Sequence, residues 1–280
     1  MTRSKENEEF DLVIEGAGSN KRYWSDIWKY RELFLFLAWR DILVRYKQTV
    51  IGLAWSLFRP FLTMLIFTLI FGRLAKFPSG GVPYPILVYA AMLPWLFFST
   101  SFNDSSNSLI NNSNMLTKIY FPRMIVPVSS IIVNFVDFLI SFALFIGLMF
   151  WYHFVPSWTI LTLPLFFLWV VLISMGTGLY VSAVNVKYRD FKHIVPFVVQ
   201  FGLYISPVGF DSSLIPEKWR LLYSINPLVG VIDGFRWAII GNPRYIYLPG
   251  LFLSLSMTFL FLLFGVLYFR KMERVFADTV

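Results

Sequence analysis

Two histidines, no cysteine and 16 acidic residues among 280 leave this chain little with which to make or break bonds. The lack of cysteine excludes disulfides, thiolate nucleophiles and thiolate metal sites. His153 and His193 fall in turns at opposite ends of the hydrophobic segments, so they cannot share a metal and read as interfacial residues. Gly16-Ala17-Gly18-Ser19-Asn20-Lys21 has the glycines and lysine of a phosphate loop, but its spacing is wrong and no strand precedes it. The chain is therefore not expected to bind or hydrolyse ATP by itself, nor to carry a cofactor or a metal. What remains is amide and hydroxyl chemistry. Asn103, Asn107, Asn111 and Asn114 recur at spacings of four, four and three. On a helix that spacing is one stripe within about 80° of arc. Serines 99, 101, 105, 106, 108 and 113 surround it. Uncharged amides that donate and accept together are what a sugar polymer's hydroxyls pair with. Such a stretch must face a water-filled cavity or leave the membrane as a helix end in the cytoplasm, because lipid would tolerate neither. Two acids, Asp104 and Asp137, fall inside apolar segments and are functional candidates for that reason. Asp137 joins the asparagine stripe as a candidate tunnel-lining group, with a hydrogen bond to a neighbouring helix as the other reading.

The elements that must position these residues are membrane helices. Hydrophobic residues make up 57% of the chain and charged ones 14%, against about a quarter charged in soluble domains. Aromatics reach 20%, as lipid-facing surfaces and interfacial belts require. Residues 1–30 are polar, lack an apolar core and read as a cytoplasmic arm rather than a cleavable signal. Residues 31–48 place Arg40, Asp41, Arg45, Lys47 and Gln48 on one helical face and Leu35, Trp39, Ile42, Leu43 and Tyr46 on the other. That division predicts a helix lying in the membrane interface. Spans follow at about 53–74, 86–113, 124–150, 160–184, 191–209 and 246–269. The stretch 191–209 is short for a crossing and holds Pro196 and Pro207. Two pieces too short to span, about 212–224 and 228–240, suggest a re-entrant hairpin dipping from the outer face, followed after the last span by a short tail, 273–280. Tyr204, Phe210, Trp219, Tyr223, Phe235 and Trp237 fall there and predict an aromatic outer mouth, through either an interfacial belt or stacking on pyranose rings.

Charge sets the orientation. The net charge of +8 could suggest nucleic acid, but 18 of the 24 Lys and Arg residues fall on one side of this topology. That asymmetry predicts both termini in the cytoplasm.

RDILVRYKQTVIGLAWS (40–56), VPYP (82–85), LPW (93–95), KIYFPR (118–123), VNVKYRDF (184–191), IPEKWR (215–220), INPL (225–228) and GFRWA (234–238) match as an ordered set. On them the chain resembles the transmembrane subunit of type-2 ABC exporters, in the polysaccharide and polyol-phosphate export branch. The resemblance implies an all-α integral membrane fold of six transmembrane helices with an amino-terminal amphipathic interfacial helix and two gate helices before the last span. It implies a homodimer served by two separate nucleotide-binding subunits, which would hold ATP and magnesium. Coupling contacts in the family lie at the inner ends, here Arg40 and Arg45 of the interfacial helix and Lys118, Tyr120 and Arg123 of the following turn. The substrate expected from it is a lipid-linked polysaccharide crossing a bacterial cytoplasmic membrane, most simply the O-antigen of lipopolysaccharide. A teichoic-acid or capsular exporter is the nearest alternative. An integral-membrane glycan enzyme would need acids or metal ligands gathered at one membrane face. An ion-coupled transporter would show inverted repeats and intramembrane charges.

Overall fold

The computed structural model describes residues 20–47, 50–116, 118, 121–188 and 190–273. The arm before residue 20, Tyr120 and the tail after residue 273 lie outside the described residues. Among the described residues all repetitive structure is helical: α1 (Asn20–Lys29), α2 (Arg31–Lys47), α3 (Val50–Phe67), α4 (Tyr84–Asn111), α5 (Ser113–Leu116), α6 (Ile125–Trp151), α7 (Leu163–Lys187), α8 (Phe191–Ile205), α9 (Glu217–Tyr223), α10 (Pro227–Ile240) and α11 (Leu248–Glu273). A π-helical turn, Thr68–Leu74, extends α3.

Breaks fall where local chemistry asks for them. Pro83 precedes α4 and Pro85 sits in its first turn, where a missing N–H costs no hydrogen bond. The Asn226 side chain caps α10 by accepting from the Leu228 N–H at 3.1 Å, with Pro227 as the first helical residue. The helix stops at Gly241, whose φ of 77° suits a residue without Cβ.

Among the described residues five segments are long and apolar enough to cross a membrane: Leu57–Leu74, Tyr84–Asn111, Ile125–Trp151, Trp158–Lys187 and Leu248–Glu273. The expected fifth span, α8, is a sixth apolar helix of only 15 residues, about 22 Å long where a bilayer core needs about 30 Å. One long helix is unlike the rest. Within α4 89% of the apolar window is buried, against 17–39% in the other four. It packs on α6, α7 and α10 and also touches α3 and α8. Helices α3, α6 and α7 pack on α4, α11 packs on α7 and α10, and all four turn most of their apolar surface outward.

The polar inner half of α4 finds a place the sequence reading did not offer. Ser101, Ser105, Ser106 and Ser108 are at most 2% exposed, so they face neither a cavity nor the cytoplasm. They are small residues that let neighbouring backbones close in. A Cβ on Gly178 of α7 would stand 2.6 Å from Ser105 Oγ. Helices α7 and α11 meet by the same device, since a Cβ on Gly176 would stand 2.6 Å from the Leu262 backbone.

Part of the supposed arm is helical, Asn20–Lys29, and joins α2 through Tyr30. On α2, Leu35, Trp39 and Leu43 are exposed to the surroundings, whereas Tyr46 of the same expected face turns inward to Asp137. On its polar face, however, Arg40 and Arg45 reach toward amides and carboxylates of α4 and α6, while Lys47 is exposed.

Candidate functional site

Arg45 reaches from α2 into the inner end of the bundle. Its Nη2 donates to Asp104 Oδ2 of α4 at 2.7 Å, and its Nη1 donates to Asp137 Oδ2 of α6 at 2.5 Å and to Asn134 Oδ1 at 2.9 Å. The Tyr46 hydroxyl donates to the other oxygen of Asp137. Burial lowers the guanidinium pKa, but the two carboxylate charges raise it by more, so Arg45 keeps its proton. Burial and the Asp137 bond push the Tyr46 phenol up, which keeps it a donor. One arginine thus joins α2, α4 and α6. Asp137 is tied into this knot, which is the second of its two expected readings, a bond to a neighbouring helix. Asp104, Asn134 and Tyr46 were missed as partners. The signal for them was weak: Asn134 and Asp137 lie one turn apart on a helix whose other polar residues are serines.

Arg40 also turns inward, with Nη2 donating to Asn112 Oδ1 at 2.9 Å and Nε to Asp41 Oδ1 at 2.8 Å. The guanidinium groups of Arg40 and Arg45, expected at coupling contacts, are thus each paired within the bundle. Lys118 is exposed. The Arg123 backbone N–H donates to Glu273 Oε1 at 2.7 Å, which docks the turn onto the end of α11.

The asparagine stripe runs from half-buried to exposed along α4 as far as Asn111, and the helix ends before Asn114, which lies in α5 and not on the same helical face. Asn103 and Asn107 are half-buried, and Asn111 and Asn114 are exposed. Asn107 Nδ2 donates to the Asn103 carbonyl at 2.9 Å, while its Oδ1 accepts from Asn185 Nδ2 of α7 at 3.2 Å. Asn103 Nδ2 reaches Asp104 Oδ1 at 3.3 Å, so the stripe borders the Arg45 knot.

At the outer end the six aromatics do not form one mouth. Phe235 is wholly buried and meets Phe138 edge-on, so it is a core residue and the expectation for it was wrong. Trp237 packs on Phe166 in an apolar groove of about 350 Å³ with Leu165, Leu168 and Leu255. Tyr204 and Trp219 are exposed, and the Tyr223 hydroxyl donates to the Ile205 carbonyl at the end of α8. Phe210 contributes its carbonyl, which accepts from Arg236 Nη1 at 2.7 Å. Around it lies a second charged cluster that sequence reasoning had treated only as outer charges. Arg236 is fully buried, Asp233 Oδ2 accepts from Ser212 Oγ at 2.6 Å, and Asp211 pairs with Arg244 at 2.7 Å.

The described residues thus form a helical membrane bundle with charged clusters at both ends and amides on its most buried long helix. The chain belongs to the ABC-2 type transporter membrane family, which matches residues 32–240. It is 27% identical over 214 residues to the O-antigen export system permease protein RfbA of Myxococcus xanthus, covering 75% of this chain and 81% of that one. It is 28% identical over 251 residues to the Klebsiella pneumoniae protein of the same name, covering 89% and 95%. Against the polysialic acid transport protein KpsM of Escherichia coli it is 27% identical over 217 residues, covering 76% and 81%.

Proposed function

We propose that this chain is the permease subunit of an ATP-driven exporter that moves a lipid-linked polysaccharide, of the O-antigen class, across the bacterial inner membrane. Two copies would enclose the glycan path, and two copies of a separate ATPase would hold ATP and magnesium and drive it. Membrane lipids bathe the outer helices, and both termini lie in the cytoplasm. The single observation that carries this reading is the amide stripe on α4, the most buried of the long helices, at the inner end of a bundle whose relatives are named as O-antigen export permeases. The similarity to polysialic acid transport proteins supports capsular polysaccharide as the second substrate class.

The test is export by cells that depend on this chain. Asn111 and Asn114 are exposed, so replacing both by Leu removes amides without breaking the Asn107–Asn185 pair. A net hydrogen bond is worth about 1 kcal/mol, so each single change should slow export by a few fold and the pair by more. Surface polysaccharide is measured beside membrane abundance of the variant. Full export by the double variant would place the stripe outside the path.

A further inference from the structure

We infer that Arg236 is a positioning residue that fastens outer helix α10 to α4, so that these two helices carry movement from the inner knot to the outer mouth as one body. This rests on the ATP-coupled export reading and adds a transmission route to it.

The fastening is complete. Arg236 Nε donates to the Leu87 carbonyl in the first turn of α4 at 3.3 Å. Nη1 donates to the Phe210 carbonyl at 2.7 Å and Nη2 to the Val208 carbonyl at 3.0 Å, both in the turn between α8 and α9. A planar guanidinium with a fixed fork of donors can serve three acceptors at once, which an ammonium cannot do in one geometry. Asp233 and Asp211 face the same positive charge and offset it. Every residue of α10 from Pro227 to Arg236 is buried.

Helix α9 is held quite differently. None of its residues is buried. Its described ties include the Tyr223 hydroxyl on the Ile205 carbonyl and the Arg220 guanidinium over the Tyr247 ring. The two short helices are therefore unequal: α10 belongs to the body of α4, and α9 is the part free to swing.

Arg45 fastens the other end of α4, at Asp104. Leu87 and Asp104 are 17 residues apart in one helix, about 25 Å along its axis. A displacement of α2 by an ATPase would pass through Arg45 to α4, and through Arg236 to the segment Ser212–Leu214 beside the mouth.

Ser213 is exposed in that segment, and the chain has no native cysteine, so Ser213→Cys gives a single reporter. The complete transporter with its ATPase is treated with an impermeant maleimide, either with ADP or with ATP and a hydrolysis-deficient partner. The reporter chain should label at rates differing by about threefold or more between the nucleotides, as coupling across a bundle allows. Arg236→Met should bring that ratio close to one while ATP hydrolysis by the ordinary partner continues. Arg236→Lys should fall between. If Arg236→Met does not accumulate, Asp104→Asn at the other fastening carries the same expectation. A nucleotide ratio that survives Arg236→Met or Lys at normal abundance, and survives Asp104→Asn, overturns the inference alone. No nucleotide ratio in the reporter chain itself would remove the ATP-coupled reading and the inference with it.

Discussion

Arg45 faces two carboxylates from two different helices, and the geometry makes each dependent on the other two. Without the guanidinium, Asp104 and Asp137 would keep like charges close together, with Asn103 Nδ2 donating to the first and the Tyr46 hydroxyl to the second. The site is partly open, with about a third of the Arg45 side chain exposed, so solvent screens some of the loss. Surface pairs are worth up to about 1 kcal/mol, and removing one partner of a buried pair costs about 3–5 kcal/mol. Arg45→Gln is expected between them, at about 1–3 kcal/mol, read as a lower midpoint of thermal unfolding in detergent. Neutralising both acids with Asp104→Asn and Asp137→Asn in the same chain should restore most of that midpoint, because no carboxylate is then left without a cation. Arg45→Lys keeps the charge but cannot bridge two acids bidentately, and should lie between. An Arg45→Gln chain as stable as the parent would mean that the guanidinium belongs to the cytoplasm.

Helices meet in this bundle through glycine and serine, and the cost of filling those contacts can be read position by position. A Cβ on Gly265 of α11 would run into the Gly176 carbonyl of α7, where both partners are backbone and cannot move aside. Gly265→Val is expected to destabilise by about 3 kcal/mol or more, since overpacking that shifts backbones lies at the top of its range. Gly147 in α6 has no atom within 4 Å of an added Cβ, so Gly147→Ala should be neutral or raise the midpoint slightly. Equal effects of the two changes, measured by thermal unfolding, would contradict the α7–α11 contact. Helix positions were legible in the sequence because prolines, glycines and charges punctuate it. The inner serines were not, because composition alone cannot separate a hydroxyl facing water from one used as a small spacer. Arg236 was equally opaque. It read as one more outer cation, and only the three carbonyls brought from α4 and the α8–α9 turn explain why it is buried.

Across the whole molecule, aromatic residues and charge must agree on where the membrane lies and which way the chain crosses it. Trp24, Trp28 and Trp39 are exposed at the end of the bundle that holds the Arg45 knot. Trp151, Tyr152 and Trp158 are exposed around the turn between α6 and α7 at the other end. Amphipathic rings at both ends mark the two interfaces, and the side with 18 of 24 Lys and Arg residues is expected to be cytoplasmic. Single cysteines in this cysteine-free chain test that orientation directly. Ser79→Cys, Val155→Cys and Ser213→Cys lie in loops at the Trp151 end, and Val155 is 84% exposed, so an impermeant thiol reagent added to whole cells should label all three. Asn114→Cys and Lys118→Cys, exposed near the Arg45 end, should label only after the membrane is opened. Ser212→Cys is the internal control for access, because its position is 1% exposed on the same outer side and should react far more slowly than its neighbour. Labelling of Asn114→Cys in intact cells would reverse the orientation, move the asparagine stripe to the outer half of the path and leave Arg45 on the wrong side to meet an ATPase.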